Sequence, residues 1–268
     1  MNSFRSIFKI RFERKDPSMN QISFTDTYTL GEIVLENEHY RHYHYPEMLV
    51  RYDSNFIEFK QGSTLQEFIK AEEYLKEFHQ KRGQNHLKFL FPVNYKPQVD
   101  LKAYLKEIGY GVGLLELYAI KPTDFPILPG NSDIEIQSVT RETLETLVNL
   151  KYQQDLEFGE EFAEQKKELT RRQFDNLMIQ QVLAFYKGVA VGYVDLIISK
   201  ETVEIDDLSV GEFYQKKGIG SRLQQFAMTS YPNKTIILLA DGTDTPREMY
   251  RKQNYQYLGF KFEILKVN

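Results

Sequence analysis

The stretch 203–230 constrains the fold of this chain more than any other, because it predicts a strand, a short loop and a helix in immediate succession. Ile205, Leu208 and Val210 give the strand an apolar pattern that acidic residues interrupt. In the helix, apolar side chains recur at the spacing of one buried face, at Ile219, Leu223, Phe226 and Ala227.

The loop between this strand and helix contains glycines and lysines, in the order Gln215, Lys216, Lys217, Gly218, Ile219, Gly220 and Ser221. Unpaired backbone N–H groups and the helix dipole make a helix N-terminus a site for phosphate oxygens. The glycines allow the backbone to approach phosphates, and the lysines add positive charge. The loop lacks the Gly-Lys-Ser/Thr of a Walker A motif and the full dinucleotide fingerprint. It therefore predicts either a phosphate site of another type or a plain loop.

Composition limits the class of protein and its partners. The chain has 268 residues, enough for one large or two modest domains, and a net charge of −4. This charge gives no support for a nucleic acid or a membrane as a partner. The chain has no cysteine, which excludes disulfides, thiolate metal sites and a cysteine nucleophile. A chain without cysteine fits a reducing compartment, and we expect a cytoplasmic protein.

The N-terminal segment has no uninterrupted apolar core, so we expect a first strand or an arm rather than a signal peptide. The rest of the first half predicts alternating strands and helices, an α/β pattern. Ser63 with Gln66 forms a candidate capping box for the first helix. The expected strands are 22–35, 48–60, 86–91 and 110–120, with an aromatic stretch at 40–45, and the expected helices are 65–82 and 100–108.

Three histidines lie close together in the first half, at His39, His42 and His44. A metal site needs further ligands and a second shell of hydrogen bonds, and the sequence shows neither. We expect surface or aromatic-cluster histidines and no metal.

Residues 121–133 contain three prolines and a glycine, which predicts a linker between two domains, 1–125 and 126–268. After it we expect a strand from Ile134, a helix capped by Ser138 or Thr140, and a helix over 160–176. Lys187-Gly188 is a candidate hairpin turn. The acidic strand, the glycine loop and its helix follow, and then come a buried strand at 235–240, a helix from Pro246 and a final strand.

Gln215-x-x-Gly218-x-Gly220, in this order of elements, resembles the Gln/Arg-x-x-Gly-x-Gly/Ala signature of the GNAT superfamily of N-acetyltransferases. The segment 249–255 is similar to the family's Leu-Tyr-x-Lys-x-Gly-Phe, with Asn254 and Tyr255 in place of Gly and Phe. Asn tolerates a left-handed conformation, so this departure is mild. The resemblance implies a GNAT fold, an α/β fold built on a mixed sheet.

The segment 104–110 matches 249–255 in kind, and an aromatic strand follows each. The chain thus resembles tandem GNAT proteins whose first copy is degenerate, although chance similarity over so short a stretch is an alternative. Only Gln61-Gly62-Ser63 stands where the first half would need the glycine motif, and Leu105 falls where Tyr250 stands in the second. We expect the first half to have lost cofactor binding and the catalytic acid, and to shape the acceptor cleft or a dimer interface.

The resemblance implies acetyl-CoA as co-substrate, held by Gln215–Ser221, with its pantetheine arm along the backbone of Leu208, Ser209 and Val210. It also implies that Tyr250 protonates the departing thiolate and that Asp244 and Arg247 approach the cofactor. Arg247 could reach a phosphate or form a surface ion pair, and the sequence does not decide between them.

An amine must be neutral to attack, so a carboxylate base is expected. Glu204 and Asp206 share one strand face, with Asp207 on the other face unless the strand bulges. Glu204 or Asp206 is the candidate base, or else both are solvated or bind a cationic substrate. The N–H near Leu208 is a candidate donor to the thioester oxygen.

The predicted function is transfer of an acetyl group from acetyl-CoA to the primary amine of a small molecule or a peptide. The alternative is a non-catalytic acyl-CoA sensor. The presence of Tyr250 together with the glycine loop favours the enzyme.

Overall fold

The computed structural model describes residues 19, 21–242 and 246–267. Within them one sheet contains the strands β1 Glu32–Glu36, β2 Tyr40–His44, β3 Phe56–Phe59, β4 His86–Leu90, β5 Gly111–Ile120, β6 Ile134–Ser138, β7 Ile179–Tyr186, β8 Val189–Ile198, β9 Thr202–Val210, β10 Thr235–Asp241 and β11 Gln256–Val267. The helices are α1 Leu65–Gln80, α2 Val99–Glu107, α3 Leu144–Asp155, α4 Glu160–Phe174, α5 Ile219–Ser230 and α6 Pro246–Lys252. The expected N-terminal strand or arm lies outside the described residues.

The two halves of the chain exchange their last strands, in the sheet order β1-β2-β3-β4-β11-β5-β10-β9-β8-β7-β6. Strand β5 of the first half lies between β10 and β11 and is antiparallel to both. Strand β11 of the second half lies between β5 and β4. Each half also has one parallel pair, β3 with β4 and β9 with β10. The predicted α/β fold with a mixed sheet is confirmed, and the domain boundary at residues 125 and 126 stays a prediction.

The end of α2 and the end of α6 have the same backbone geometry. The N–H of Tyr110 donates to Leu105 O at 2.9 Å, and the N–H of Tyr255 donates to Tyr250 O at 3.0 Å. The preceding residue is left-handed in both, Gly109 at φ +83° and Asn254 at φ +67°. This match supports the predicted relation between the halves, and it shows that Asn254 does adopt the conformation that asparagine tolerates.

In the second half, the two faces of the sheet pack against different parts of the chain. Helix α5 covers one face, where Leu223 and Ala227 pack with Val203, Ile205 and Leu238. The side chains that alternate with these along β9 and β10 point to the other face, where Ile237 packs with Phe24 of the first half. No helix of the described residues is long and apolar enough to span a bilayer.

Several expectations for the first half are wrong in their bounds. Of the expected strand 22–35, only the end is β1, and of 48–60 only Phe56–Phe59 is a strand, while the aromatic stretch is the strand β2. The capping box uses Thr64 and Glu67 rather than Ser63 and Gln66, because the Thr64 side chain and N–H together engage Glu67. The observed capping box therefore lies one residue after the predicted one.

The second half follows the predicted order of elements. Lys187 and Gly188 both have positive φ, +50° and +80°, as a two-residue hairpin turn requires. The predicted cap of α3 is wrong, since its N-cap residue is Thr143 and no side chain caps the helix.

Candidate functional site

Strands β9 and β10 separate at the middle of the second half. Their parallel pairing runs from Thr202 with Thr235 to Ile205 with Leu238 and ends there, although both strands continue. Beyond this point β9 keeps its pairing with β8, interrupted by a bulge at Asp207, whose φ is +48°. The backbone of Leu208, Ser209 and Val210 therefore has no partner in β10, and an opening lies between the strands.

Helix α5 begins beside this opening. Gly218 is its N-cap residue in a left-handed conformation, φ +86°, and no side chain caps the helix. The side chain of Ile219 is buried in the core, so only its backbone amide can face a ligand. Gly220 lies against Leu208 and Val210 of β9. The free N–H groups of the first helical turn thus lie next to the strand opening.

The polar side chains of the loop leave this N-terminus uncovered. Lys216 and Lys217 are exposed. The Gln215 amide donates to Val210 O at 3.3 Å, and the Ser221 hydroxyl accepts from Gln253 of α6 at 3.1 Å. Asp244 falls outside the described residues.

The first half shows the opposite arrangement at the corresponding helix, α1. The carboxylate of Glu67 accepts hydrogen bonds from the N–H of Thr64 at 2.7 Å and from its hydroxyl at 2.9 Å. A negative side chain of the protein itself therefore occupies the N-terminus where an anion would bind. A side chain on Gly62, just ahead, would collide with the Tyr95 ring. Both features argue against a phosphate site in the first half.

A buried ion cluster holds the bulge of β9. Lys151 of α3 is 1% exposed, and its Nζ lies 2.6 Å from Asp195 and 3.0 Å from Asp207. Lys166 of α4 bridges Asp207 at 3.2 Å and Asp155 at 2.8 Å. Burial opposes ionisation of Asp207, but the two ammonium groups outweigh it and hold the pKa of Asp207 below its ordinary value. The bulge turns Asp207 towards α3 and α4, a position the alternation of the strand alone did not predict.

Glu204 and Asp206 lie on the same face of β9, as predicted, and line one cavity. Burial raises the pKa of Glu204 to about 8, and its Oε2 accepts the N–H of Tyr28 at 2.6 Å. Burial and then the charge of Asp207 raise the pKa of Asp206 to about 6. Within the described residues, Asp206 makes no side-chain hydrogen bond or ion pair.

Tyr250 lies on the other face of the sheet, against the core that contains Leu208 and Val210. Its ring packs against Tyr118 at 5.2 Å and Tyr255 at 5.4 Å between centroids. Burial raises its pKa to about 12, so the hydroxyl keeps its proton at neutral pH. Tyr250 thus packs against the same core as Ile219 of the glycine loop, whereas Glu204 and Asp206 lie on the opposite face.

Arg247 takes neither of the two roles left open for it. Its Nε lies 2.7 Å from the carboxylate of Glu116, a buried residue of β5. Because Glu116 belongs to β5, this ion pair joins α6 to the first half. The Tyr118 hydroxyl also donates to Glu116, at 2.8 Å. The Arg247 charge serves a structural contact between the halves.

Two of the three histidines, His42 and His44, belong to a buried aromatic cluster. His42 and His44 are buried, both rings pack on Phe78, and His42 Nδ1 lies 3.0 Å from the Tyr74 hydroxyl. Burial lowers the pKa of His42 to about 3, so it is neutral at neutral pH. His39 lies apart and pairs with Glu38 at 3.2 Å.

The first half contributes residues to the site that the sequence did not identify. The cavity in front of Glu204 and Asp206 has a volume of about 440 Å³, and a neighbouring one of about 730 Å³ also contains Asp206. Arg51, Asp53 and Lys88 line both. No sequence motif identifies them, because they are distant from β9 in sequence. They lie near β9 only because the two halves share one sheet.

Two family models match separate parts of the chain. The model described as "Acetyltransferase (GNAT) family" matches residues 144–260, and "Domain of unknown function (DUF5613)" matches residues 22–118. No curated protein matches the chain.

Solved structures resemble the whole chain. A functionally unknown conserved protein from Staphylococcus epidermidis is 33% identical, with a TM-score of 0.86, over 93% of this chain and 99% of the other. A GCN5-related N-acetyltransferase from Kribbella flavida is 14% identical, with a TM-score of 0.58, over 89% and 90%. A tandem GNAT protein from the clavulanic acid biosynthesis pathway is 10% identical, with a TM-score of 0.50, over 79% and 75%.

The last two similarities concern the fold alone, whereas the first extends to the sequence. The match at 144–260 contains the strand opening, the glycine loop, α5 and Tyr250. The chain belongs to one family with the Staphylococcus epidermidis protein, its second half is a domain of the GNAT acetyltransferase family, and its first half takes part in the GNAT-like fold that the whole chain shares with these structures.

Proposed function

We propose that the protein is an N-acetyltransferase that transfers an acetyl group from acetyl-CoA to a primary amine. Family membership supports acyl transfer in general. The observation that carries the proposal is the uncapped N-terminus of α5 beside the opening between β9 and β10, in contrast to the self-capped N-terminus of α1. A helix terminus of this kind suits a pyrophosphate, and an unpaired strand edge suits an extended pantetheine arm.

The proposed binding residues divide into two groups. The backbone amides of Gly218, Ile219, Gly220 and Ser221 would hold the phosphates, with Gln215, Lys216 and Lys217 beside them, and Asp244 remains a candidate. The β9 backbone at Leu208, Ser209 and Val210 would pair with the pantetheine arm, and the N–H near Leu208 would stabilise the oxyanion. When bound, acetyl-CoA supplies the acetyl group as an activated thioester.

Asp206 is the proposed general base. A carboxylate with a pKa of about 6 is ionised at neutral pH and can accept the proton that an ammonium group must lose. Glu204, with a pKa of about 8 and a hydrogen bond from Tyr28, is mostly protonated there. Tyr250, with a pKa of about 12, retains a proton that it can give to the departing sulfur.

A thiol-release assay with acetyl-CoA and a panel of primary amines tests the function and the base together. We expect turnover, with kcat/KM rising with pH and reaching a plateau once Asp206 is ionised, above pH about 6. Asp206→Asn should lose about 100-fold in kcat/KM. If kcat/KM instead fell as the pH was lowered through about 8, and Glu204→Gln abolished this fall, the base would be Glu204. Binding of acetyl-CoA without turnover of any amine would favour a non-catalytic acyl-CoA sensor.

A further inference from the structure

Arg51 lies in the proposed acceptor cleft and has no ion-pair partner among the described residues. It lines both cavities in front of β9, and its buried Nε has no hydrogen-bond partner among the described residues. Each of the other cations that line the two cavities has a carboxylate partner among the described residues. Arg41 pairs with Glu36, Lys88 with Asp53 and Glu263, Lys261 with Glu58, and Lys166 with Asp155 and Asp207.

The charge opposite Arg51 is also unpaired. Asp206 lines the same two cavities, where the charge of Arg51 acts to lower its pKa, but no hydrogen bond or ion pair joins either charged group to a described residue. Among the described residues, the first half thus presents a guanidinium without an ion-pair partner, and β9 presents such a carboxylate, to a common space. Both side chains are half-buried, so water solvates their charges only in part, and a ligand with the opposite charges would complete them.

We propose that the acceptor carries a carboxylate as well as its amine, so that Arg51 binds the carboxylate while the amine faces Asp206. The guanidinium forms a planar fork of donors that matches a carboxylate, and this favours Arg51 as the group that recognises it. The acceptor is then an amino-acid-like zwitterion. The inference rests on the proposed function for the role of the amine, but Arg51 can also be tested by binding alone.

The experiment uses matched acceptors on the full chain: amino acids, their carboxamides and the corresponding decarboxylated amines. Thiol release at saturating acetyl-CoA gives KM, and calorimetry in the presence of CoA gives binding without chemistry. We expect the carboxylate-bearing member of a pair to be preferred by at least about 10-fold in KM. In Arg51→Gln this preference should disappear, because KM rises for the acid and stays unchanged for the amide.

Two features of the chain make the variant interpretable. The structural bonds of Arg51 are made by its backbone, which donates to Met48 O and accepts from Asn55, so Arg51→Gln keeps them. Arg41→Gln is the matched control, since Arg41 lines the same cavity but is paired with Glu36 at 3.0 Å, and it should leave the preference intact.

Equal KM values for acids and amides in the wild-type protein, or equal losses on both in Arg51→Gln, would overturn the inference. If no amine is turned over, the proposed function fails, but calorimetry still tests the inference. Binding of the acids but not of the amides supports the inference, and binding of neither refutes it.

Discussion

Lys151→Met is expected to destabilise the protein by about 3–5 kcal/mol at pH 8, because it leaves Asp195 buried without its cation and removes one of two cations from Asp207. Met keeps most of the volume of the side chain, so the effect comes from charge. Urea unfolding monitored by circular dichroism measures it.

The pH dependence separates this effect from a packing defect. Without Lys151 the pKa of Asp195 rises further above its unfolded value, so proton uptake stabilises the folded variant and the difference from wild type shrinks as pH falls towards 5. Lys167→Met is the control, since Lys167 pairs with Glu164 at 2.6 Å on the surface of α4, and its loss should cost under about 1 kcal/mol. Equal stability of the two variants at pH 8 would show that the buried cluster does not hold the bulge.

Tyr250→Phe is expected to lower kcat by about 100-fold while leaving stability within about 1 kcal/mol of wild type. The ring packing against Tyr118 and Tyr255 remains, and no hydrogen bond of the hydroxyl is found in the described part of the chain. Since burial places the pKa of Tyr250 at about 12, the loss should be nearly constant between pH 6 and 9.

The neighbouring tyrosine supplies the matched control. Tyr255 donates to the Gln224 side chain at 2.9 Å in the core, so Tyr255→Phe should lower stability by about 1–2 kcal/mol and leave kcat unchanged. An unchanged kcat in Tyr250→Phe would remove Tyr250 from the mechanism.

The second half was predictable from sequence because its signals are local. The strand, glycine loop and helix over 203–230 and the turn at Lys187-Gly188 depend on periodicity and on glycines placed where left-handed backbone is needed. The predicted strand bounds in the first half are wrong where apolar and aromatic composition alone indicated a strand. Residues 48–54 instead contain a turn and the short 3-10 helix Tyr52–Ser54, and the Asn55 side chain donates to Met48 O and Arg51 O.

The exchange of β5 and β11, by contrast, could not be predicted, because no local pattern specifies which distant strand becomes a neighbour. The same limit applies to the candidate site. Glu204, Asp206 and Tyr250 could be selected by chemistry and resemblance, whereas Arg51 reaches the cleft only through the sheet that the halves share. The bulge at Asp207 depends on Lys151 and Lys166, which are distant in sequence.

Calorimetric titration of acetyl-CoA into wild type, Ser221→Glu and Ser221→Ala tests most directly whether the N-terminus of α5 holds the pyrophosphate. Ser221→Glu places a carboxylate at the third residue of α5, the position that Glu67 has in α1. Ser221→Ala removes only the hydrogen bond with Gln253. Thermal unfolding verifies that both variants are folded.

We expect one molecule of acetyl-CoA per wild-type chain, a Kd that is about 100-fold weaker in Ser221→Glu, and a Kd within about 3-fold of wild type in Ser221→Ala. No binding to the wild-type chain, two molecules per chain, or an unaltered Kd in Ser221→Glu would contradict a single pyrophosphate site at the start of α5.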